Sequence, residues 1–356
     1  MTGSPDPSNL RSTSPFLAAC RSEPHDRVPV WFMRQAGRSL PEYRALRGTT
    51  GSILDAIRDP EMSTEITLQP VRRYGVDAAI FYSDIVVPAY AIGFGVEVVP
   101  GVGPVIERPF SGRADLERLR PYEPEVDAPW VVETVRATVA ELTPMGVPLI
   151  GFAGAPFTVA SYLVEGRPSR TYVGTKALMH EDPALWHELL DRLADQALAS
   201  LRAQVTNGAS AIQLFDSWAG ALSAADYERF VLPSSRRVLE GIADLDVPRI
   251  HFGVGTGELL HLMAEAGADV VGVDWRVPLA DARRRVGPGY ALQGNLDPAL
   301  CVSSWEVAEA GAREVLASNA GHPGHVFNLG HGVLPETDPE ILERVVALVH
   351  DEGTVL

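Results

Sequence analysis

Arg34, Arg38, Arg44 and Arg47 fall within fourteen residues, inside WFMRQAGRSLPEYRALR (31–47), of a chain whose net charge is -16. Arginine suits carboxylate recognition because its planar fork donates two parallel hydrogen bonds and keeps its charge when partly desolvated. Two such forks side by side repel unless an anion joins them. Arg34 and Arg38 flank Gly37, where the missing Cβ lets a backbone pass close to a ligand. The plainer reading pairs these arginines with some of the chain's 46 carboxylates and places Arg44 on a helix surface.

Asp84 follows an apolar run and has Phe81, Tyr82, Ile85 and Val86 around it. A carboxylate in such a pocket can accept several N–H donors, each worth about 1.5–3 kcal/mol when charge-assisted. The alternative role is a turn or helix N-cap. His331 stands between two glycines in LGHG, where small neighbours let a ligand reach the ring, although a lone histidine is commonly structural. Asp216–Ser217 invites a nucleophile, but no GxSxG elbow is present, so substrate positioning is the expected role. GVGTGE (253–258) lacks both the Walker lysine and the GxGxxG spacing and reads as a turn. His251 has no cysteine near it in sequence, and neither HExxH nor an EF-hand loop occurs, so no metal is expected.

These residues need a scaffold, and the chain supplies an alternation of short β-branched runs with longer amphipathic segments, the pattern of a parallel α/β sheet. Eight runs stand out: 28–33, 77–82, 148–152, 211–215, 249–252, 269–273, 290–294 and 325–328. Residues 183–205 carry one apolar face and stop at Asn207-Gly208, and TDPE (337–340) and SLPE (39–42) each read as a capping box. Eight strands with helical material between them imply a single distorted (β/α)8 TIM barrel, with an open doubly wound sheet as the alternative. GVEVVPGVGPVIER (95–108) reads as a hairpin inserted after the second strand, and 34–76 as room for a helical layer inserted after the first. In such barrels the chemistry sits at the C-terminal strand ends, which is where Arg34, Arg38, Asp84, Ser217 and His331 fall.

The expected domains are a flexible tail over 1–14 and one barrel over 15–356. Hydrophobic content of 46% describes a chain with ample core. The acidic balance argues against nucleic acid or an anionic membrane as partner, and the longest weakly charged run, 85–96, is too short to span a bilayer. Two cysteines 281 positions apart, Cys20 and Cys301, exclude a disulfide framework and point to a reducing, cytoplasmic setting.

The motifs PVWFMRQAGR, GFAGAPFT, SYLVEG, FDSWAG, GNLDP and LGHG, in this order, resemble the uroporphyrinogen decarboxylase family across about residues 15–350. The resemblance implies a homodimer without metal or organic cofactor. It implies stepwise loss of CO2 from the four acetate side chains of uroporphyrinogen III, giving coproporphyrinogen III. It also implies that Arg34, Gln35, Ala36, Gly37 and Arg38 bind substrate, with Arg47 a further carboxylate ligand. Asp84 would accept the pyrrole N–H groups, and Tyr162, Ser217 and His331 would line the cleft. Ser39 and Ser161 stand where the family commonly has tyrosine and threonine, and neither change removes a charge. The competing readings are a zinc-thiol methyltransferase of the related barrel group and a non-catalytic tetrapyrrole carrier.

Overall fold

Seven of the eight apolar runs form parallel strands, because β-branched residues buried on both faces favour a sheet covered by helices. The computed structural model describes residues 13–48, 51–99 and 101–355. Its main sheet contains β1 (Ala79–Ile80), β4 (Leu149–Gly154), β5 (Ala211–Phe215), β6 (Arg249–Phe252), β7 (Val270–Gly272), β8 (Ala291–Gln293) and β9 (His325–Val326), in that spatial order. All neighbouring pairs are parallel, and the sheet is curled. The strands β2 (Val96–Val99) and β3 (Gly103–Ile106) form a separate antiparallel hairpin.

The first run, 28–33, is not a regular strand. It makes one parallel bridge, Val30 to Phe327 beyond β9, in which the Phe327 N–H donates to the Pro29 carbonyl at 2.8 Å. Pro29 has no N–H to offer a ladder. Trp31 N–H donates back to the Phe327 carbonyl at 3.3 Å, whereas side chains meet two further amides, Val30 N–H by Asp77 Oδ2 at 2.7 Å and Met33 N–H by Asn328 Oδ1 at 3.1 Å. On the other side the Asp77 N–H donates to the Val30 carbonyl at 2.8 Å, so the segment lies between β9 and the start of β1. A buried amide line crosses the inside of the curl: Trp31 Nε1 donates to Gln293 Oε1 at 3.1 Å, and Gln293 Nε2 to Gln213 Oε1 at 2.8 Å.

Helices Pro41–Arg47, Ile53–Ile57 and Pro60–Tyr74 fill the chain between Arg34 and β1. The 24-residue helix Pro183–Thr206 is N-capped by Asp182, which accepts the Leu185 N–H, and buries the expected leucine face. Both expected capping boxes are corrected. Helix Pro41–Arg47 starts one residue later than SLPE implies, at an N-cap Leu40 with no side-chain bond, because Pro41 presets the first turn. Helix Pro339–Glu352 is capped by Asp338, not Thr337, through the Glu340 N–H at 3.0 Å. Residues 1–12 of the expected tail lie outside the described residues, and Ser14 caps helix Pro15–Cys20. Among the described residues no helix is long and apolar enough to cross a membrane.

Asp77 holds the 28–33 segment in place. Its carboxylate accepts from Val30 N–H, from Arg27 Nη2 at 2.5 Å and from His350 Nε2 at 2.7 Å on the last helix. Asp77→Ala orphans a buried amide, breaks the ion pair with Arg27 and removes the His350 contact, and is expected to lower the unfolding free energy by about 3 kcal/mol. Urea denaturation measures it, and a loss under about 1 kcal/mol would show that the segment is held by other means.

Candidate active site

The 28–33 segment ends at Arg34, whose φ of 58° lies in the left-handed region and turns the chain sharply over the sheet. Gln35 is fully buried and serves this turn: its Oε1 accepts the Phe32 N–H at 3.1 Å and its Nε2 donates to the Ala78 carbonyl at 3.2 Å. Gly37 is required by the tightness of the loop, since a methyl there would stand 2.9 Å from the Arg34 carbonyl. Ala36 packs against the core. Arg44 Nη1 holds the carbonyls of Arg38 and Ser39 at 2.6 and 2.8 Å, so this arginine shapes the loop instead of facing a ligand. Arg47 donates to the Gly51 carbonyl at 3.4 Å.

Arg34 and Arg38 are exposed, and among the described residues neither guanidinium has a carboxylate partner. Arg73, by contrast, is satisfied by Glu42 and Glu343. The Arg34 stem lies across Gly332, where a methyl would come within 2.5 Å of its Cδ. Gly332 therefore makes room for Arg34, while Gly330 lets the loop seat against the Trp275 backbone.

Asp84 serves both roles that its sequence context allows. Its Oδ1 accepts the Val86 N–H at 3.1 Å, as a turn aspartate does, while the half-buried carboxyl faces Arg34 and Tyr162. Burial raises its pKa above the ordinary carboxylate range, and the Val86 amide and the Arg34 guanidinium pull against that rise. Gly154, at the end of β4, lets this loop seat, because a methyl there would meet Ile85 at 2.9 Å.

Tyr162 projects from helix Pro156–Glu165 and packs on Trp218, ring centroids 3.9 Å apart, with Tyr172 beyond at 5.2 Å. Burial holds its phenol far on the protonated side, with the Asp84 charge adding to the effect and Arg34 opposing it. His331 is half-buried, and its Nδ1 accepts the Gly332 N–H at 2.6 Å, which assigns the proton of the neutral ring to Nε2. Burial and then the Arg34 charge lower its pKa to about 4. Asp84, Tyr162 and His331 thus each sit within electrostatic reach of Arg34.

Ser217 is half-buried at the end of β5, but Asp216 turns into the protein and is fully buried. Thr158 Oγ1 donates to Asp216 Oδ1 at 2.9 Å and accepts the Trp218 N–H at 3.3 Å, so Asp216 positions the loop instead of meeting substrate. GVGTGE is a turn held by the buried Asp274 carboxylate, which accepts the Gly255 N–H. His251 is fully buried, with Nδ1 against the Met263 carbonyl at 3.2 Å. Among the described residues no three or more His, Cys, Asp or Glu side chains form a group suited to a metal.

The aromatic lining was not anticipated from sequence. Phe152, Phe215 and Phe252 lie on neighbouring strands, with centroids 5.5 and 6.1 Å apart, and Phe81 adds a fourth ring 5.3 Å from Phe152. The register places Phe152 beside Gln213 and Phe215 beside Phe252, so these three share the inner face of the curl with the amide line. The signal was present as a phenylalanine near the end of four runs, IFY, GF, LF and HF, and needed only the register to be read.

Two arginines without a carboxylate partner among the described residues, a half-buried carboxylate and an aromatic lining lie together on the C-terminal side of a curled parallel sheet, the arrangement of an α/β enzyme suited to an anionic ligand. The family model for uroporphyrinogen decarboxylase matches residues 11–352, and the chain belongs to that family. It is 62% identical to the uroporphyrinogen decarboxylase of Salinispora tropica over 338 residues, 95% of this chain and 90% of that protein. It is also 62% identical to that of Streptomyces coelicolor over 341 residues, 96% of this chain and 95% of that one. Among solved structures, a methyltransferase from Methanosarcina mazei superposes with a TM-score of 0.77 at 21% identity, covering 95% of this chain and 98% of that one. That likeness concerns the fold alone.

The His331 environment has a direct consequence. Its folded-state pKa of about 4 lies below the unfolded value of 6.5, so the unfolded chain takes up the proton first and this residue's share of stability is lost as pH falls from 6.5 towards 4. In the ligand-free protein the His331 ring is expected to stay neutral from pH 8 to about 5. NMR titration, with His331→Gln to assign the resonance, measures this, and a midpoint at 6 or above would overturn the account of its surroundings.

Proposed function

We propose that this chain decarboxylates uroporphyrinogen III, removing CO2 from its four acetate side chains to give coproporphyrinogen III. The observation that carries the reading is the Arg34 guanidinium, without a carboxylate partner among the described residues and close to Asp84, Tyr162 and His331. Protonation of a carbon of the adjacent pyrrole first turns that ring into a cationic electron sink. As the C–C bond to CO2 breaks, its electron pair flows into the ring, and a proton added at the freed CH2 carbon with return of the ring proton leaves a methyl and a neutral pyrrole. The substrate then supplies its own activation. Asp84 accepts the pyrrole N–H groups and stabilises the cation as it develops, the kind of preorganised charge worth several kcal/mol. Arg34, Arg38 and Arg47 hold side-chain carboxylates. The protonated Tyr162 phenol, the His331 Nε2–H and Ser217 offer neutral hydrogen bonds to others. Gln35, Ala36 and Gly37 serve as the frame that presents the two arginines.

The zinc-thiol alternative lacks support in the thiols themselves. Cys20 and Cys301 are both buried and free, and burial raises their pKa, away from the thiolate that binds zinc. The same two buried thiols and the charge of -16 support a cytoplasmic enzyme without a nucleic-acid partner. The wider reading is a homodimer of single-domain barrels spanning 15–356, in which 28–33 is an eighth stave and 34–76 and 95–108 are insertions. The bonds of 28–33 to Phe327 and Asp77 support that closure.

Anaerobic incubation with reduced uroporphyrinogen, followed by counting carboxyl groups on the product, is expected to yield the tetracarboxylate; an unchanged octacarboxylate would favour the carrier. Asp84→Ala is expected to lower kcat by about 10²–10³-fold, whereas Arg47→Ala acts mainly on KM. Steady-state kinetics separates the two, and near-normal coproporphyrinogen production by the Asp84 variant would sink the mechanism.

A further inference from the structure

Behind Asp84, the long helix Pro183–Thr206 packs on β4. Gln204 Oε1 accepts the Phe152 N–H at 2.7 Å, and its Nε2 donates to the Phe152 carbonyl at 3.0 Å. Gly151 leaves the space, since a methyl there would stand 2.6 Å from that Oε1. With its oxygen committed to an N–H, the amide has one orientation, and its second N–H donates to Ser200 Oγ at 3.0 Å. Ser200 is therefore an acceptor on that side. Its own O–H, on a residue 6% exposed, has no acceptor among the described residues.

Ser200 and Gln204 line a small cavity together with Ser83, Asp84, Pro88 and Phe152. Its volume is about 10 Å³, the space of about one water. Ser83, Asp84 and Ser200 supply the polar partners that a buried water needs. Asp84 Oδ1 accepts the Val86 N–H, and the Ile85 amide also favours the anion.

We propose that this cavity is a water site through which Ser200, aimed by Gln204, donates to the Asp84 carboxylate, making both residues positioning residues for the reaction. The proposal rests on the function given above to Asp84. Donors to a carboxylate favour its ionised form, which is the form able to accept pyrrole N–H groups. The other groups facing Asp84 are Arg34 from the loop after Met33, Tyr162 from helix Pro156–Glu165 and Tyr82 from the same loop after β1; the helix behind offers only the neutral Ser200 and Gln204.

Infrared titration of the Asp84 carboxyl band in ligand-free protein, assigned by its absence in Asp84→Asn, reads the link without any need for activity. Ser200→Ala is expected to raise the midpoint by about 0.5–1 pH unit. Ser200→Val, whose methyls fill the cavity, should raise it at least as far. Ser234→Ala, which removes a buried hydroxyl bonded to the Val231 carbonyl, leaves it in place. In the active enzyme the acid limb of kcat/KM moves with the midpoint. An unmoved midpoint in folded Ser200→Ala overturns the proposal even if the enzyme makes coproporphyrinogen. A shifted midpoint in a protein that makes none overturns the assigned reaction and leaves the link standing.

Discussion

The Asp77 carboxylate joins three parts of the chain that are far apart in sequence: Arg27 and Val30 before the arginine loop, the approach to β1, and His350 on the last helix. The segment it secures has little ladder of its own, since Pro29 cannot donate and Val30 makes a single bridge. The direction in which the chain leaves that segment sets where Arg34 points, and Gln35 repeats the arrangement one step later by bonding to Phe32 and Ala78. Side chains thus do here what backbone pairing does elsewhere in the sheet, and the binding loop inherits its position from them.

Around Asp84 the opposing effects can be ranked. Burial is the largest influence and favours the neutral acid; the Val86 amide and the Arg34 charge come next and favour the anion. In the proposed function Arg34 therefore has two parts. A substrate carboxylate on its fork would share the guanidinium's pull on Asp84, and the charge state at the centre would be linked to occupancy at the rim.

Much of this was legible in sequence for identifiable reasons. Helix Pro183–Thr206 announces itself through 24 residues of apolar periodicity, and AIQLF and RIHF match β5 and β6 end to end because β-branched and aromatic runs bounded by polar residues have few other uses. Arg34 and Arg38 were found by type, spacing and position after an apolar run. The misses share a cause, since each depends on a partner remote in sequence. Residues 28–33 looked like a strand because Asp77 and Asn328, which take its amides, are 47 and 295 positions away from their partners. Asp216 looked like a cleft residue because nothing local reveals that Thr158 turns it inward. Ser200 and Gln204 are polar positions in a helix that reads simply as core, and only the cavity beyond them gives those positions meaning.

That Arg34 and Arg38 have no carboxylate partner among the described residues bears on how such a site lets go. A fork already satisfied by the protein would grip every occupant alike. One that waits for an external carboxylate grips in proportion to the charge it is offered. Each CO2 lost removes a negative charge from the substrate, while the four-pyrrole macrocycle stays the same at every stage. In the proposed function retention would therefore weaken as the reaction advances, and the chemistry itself would work as a ratchet that keeps the octa-anion and sheds the tetra-anion.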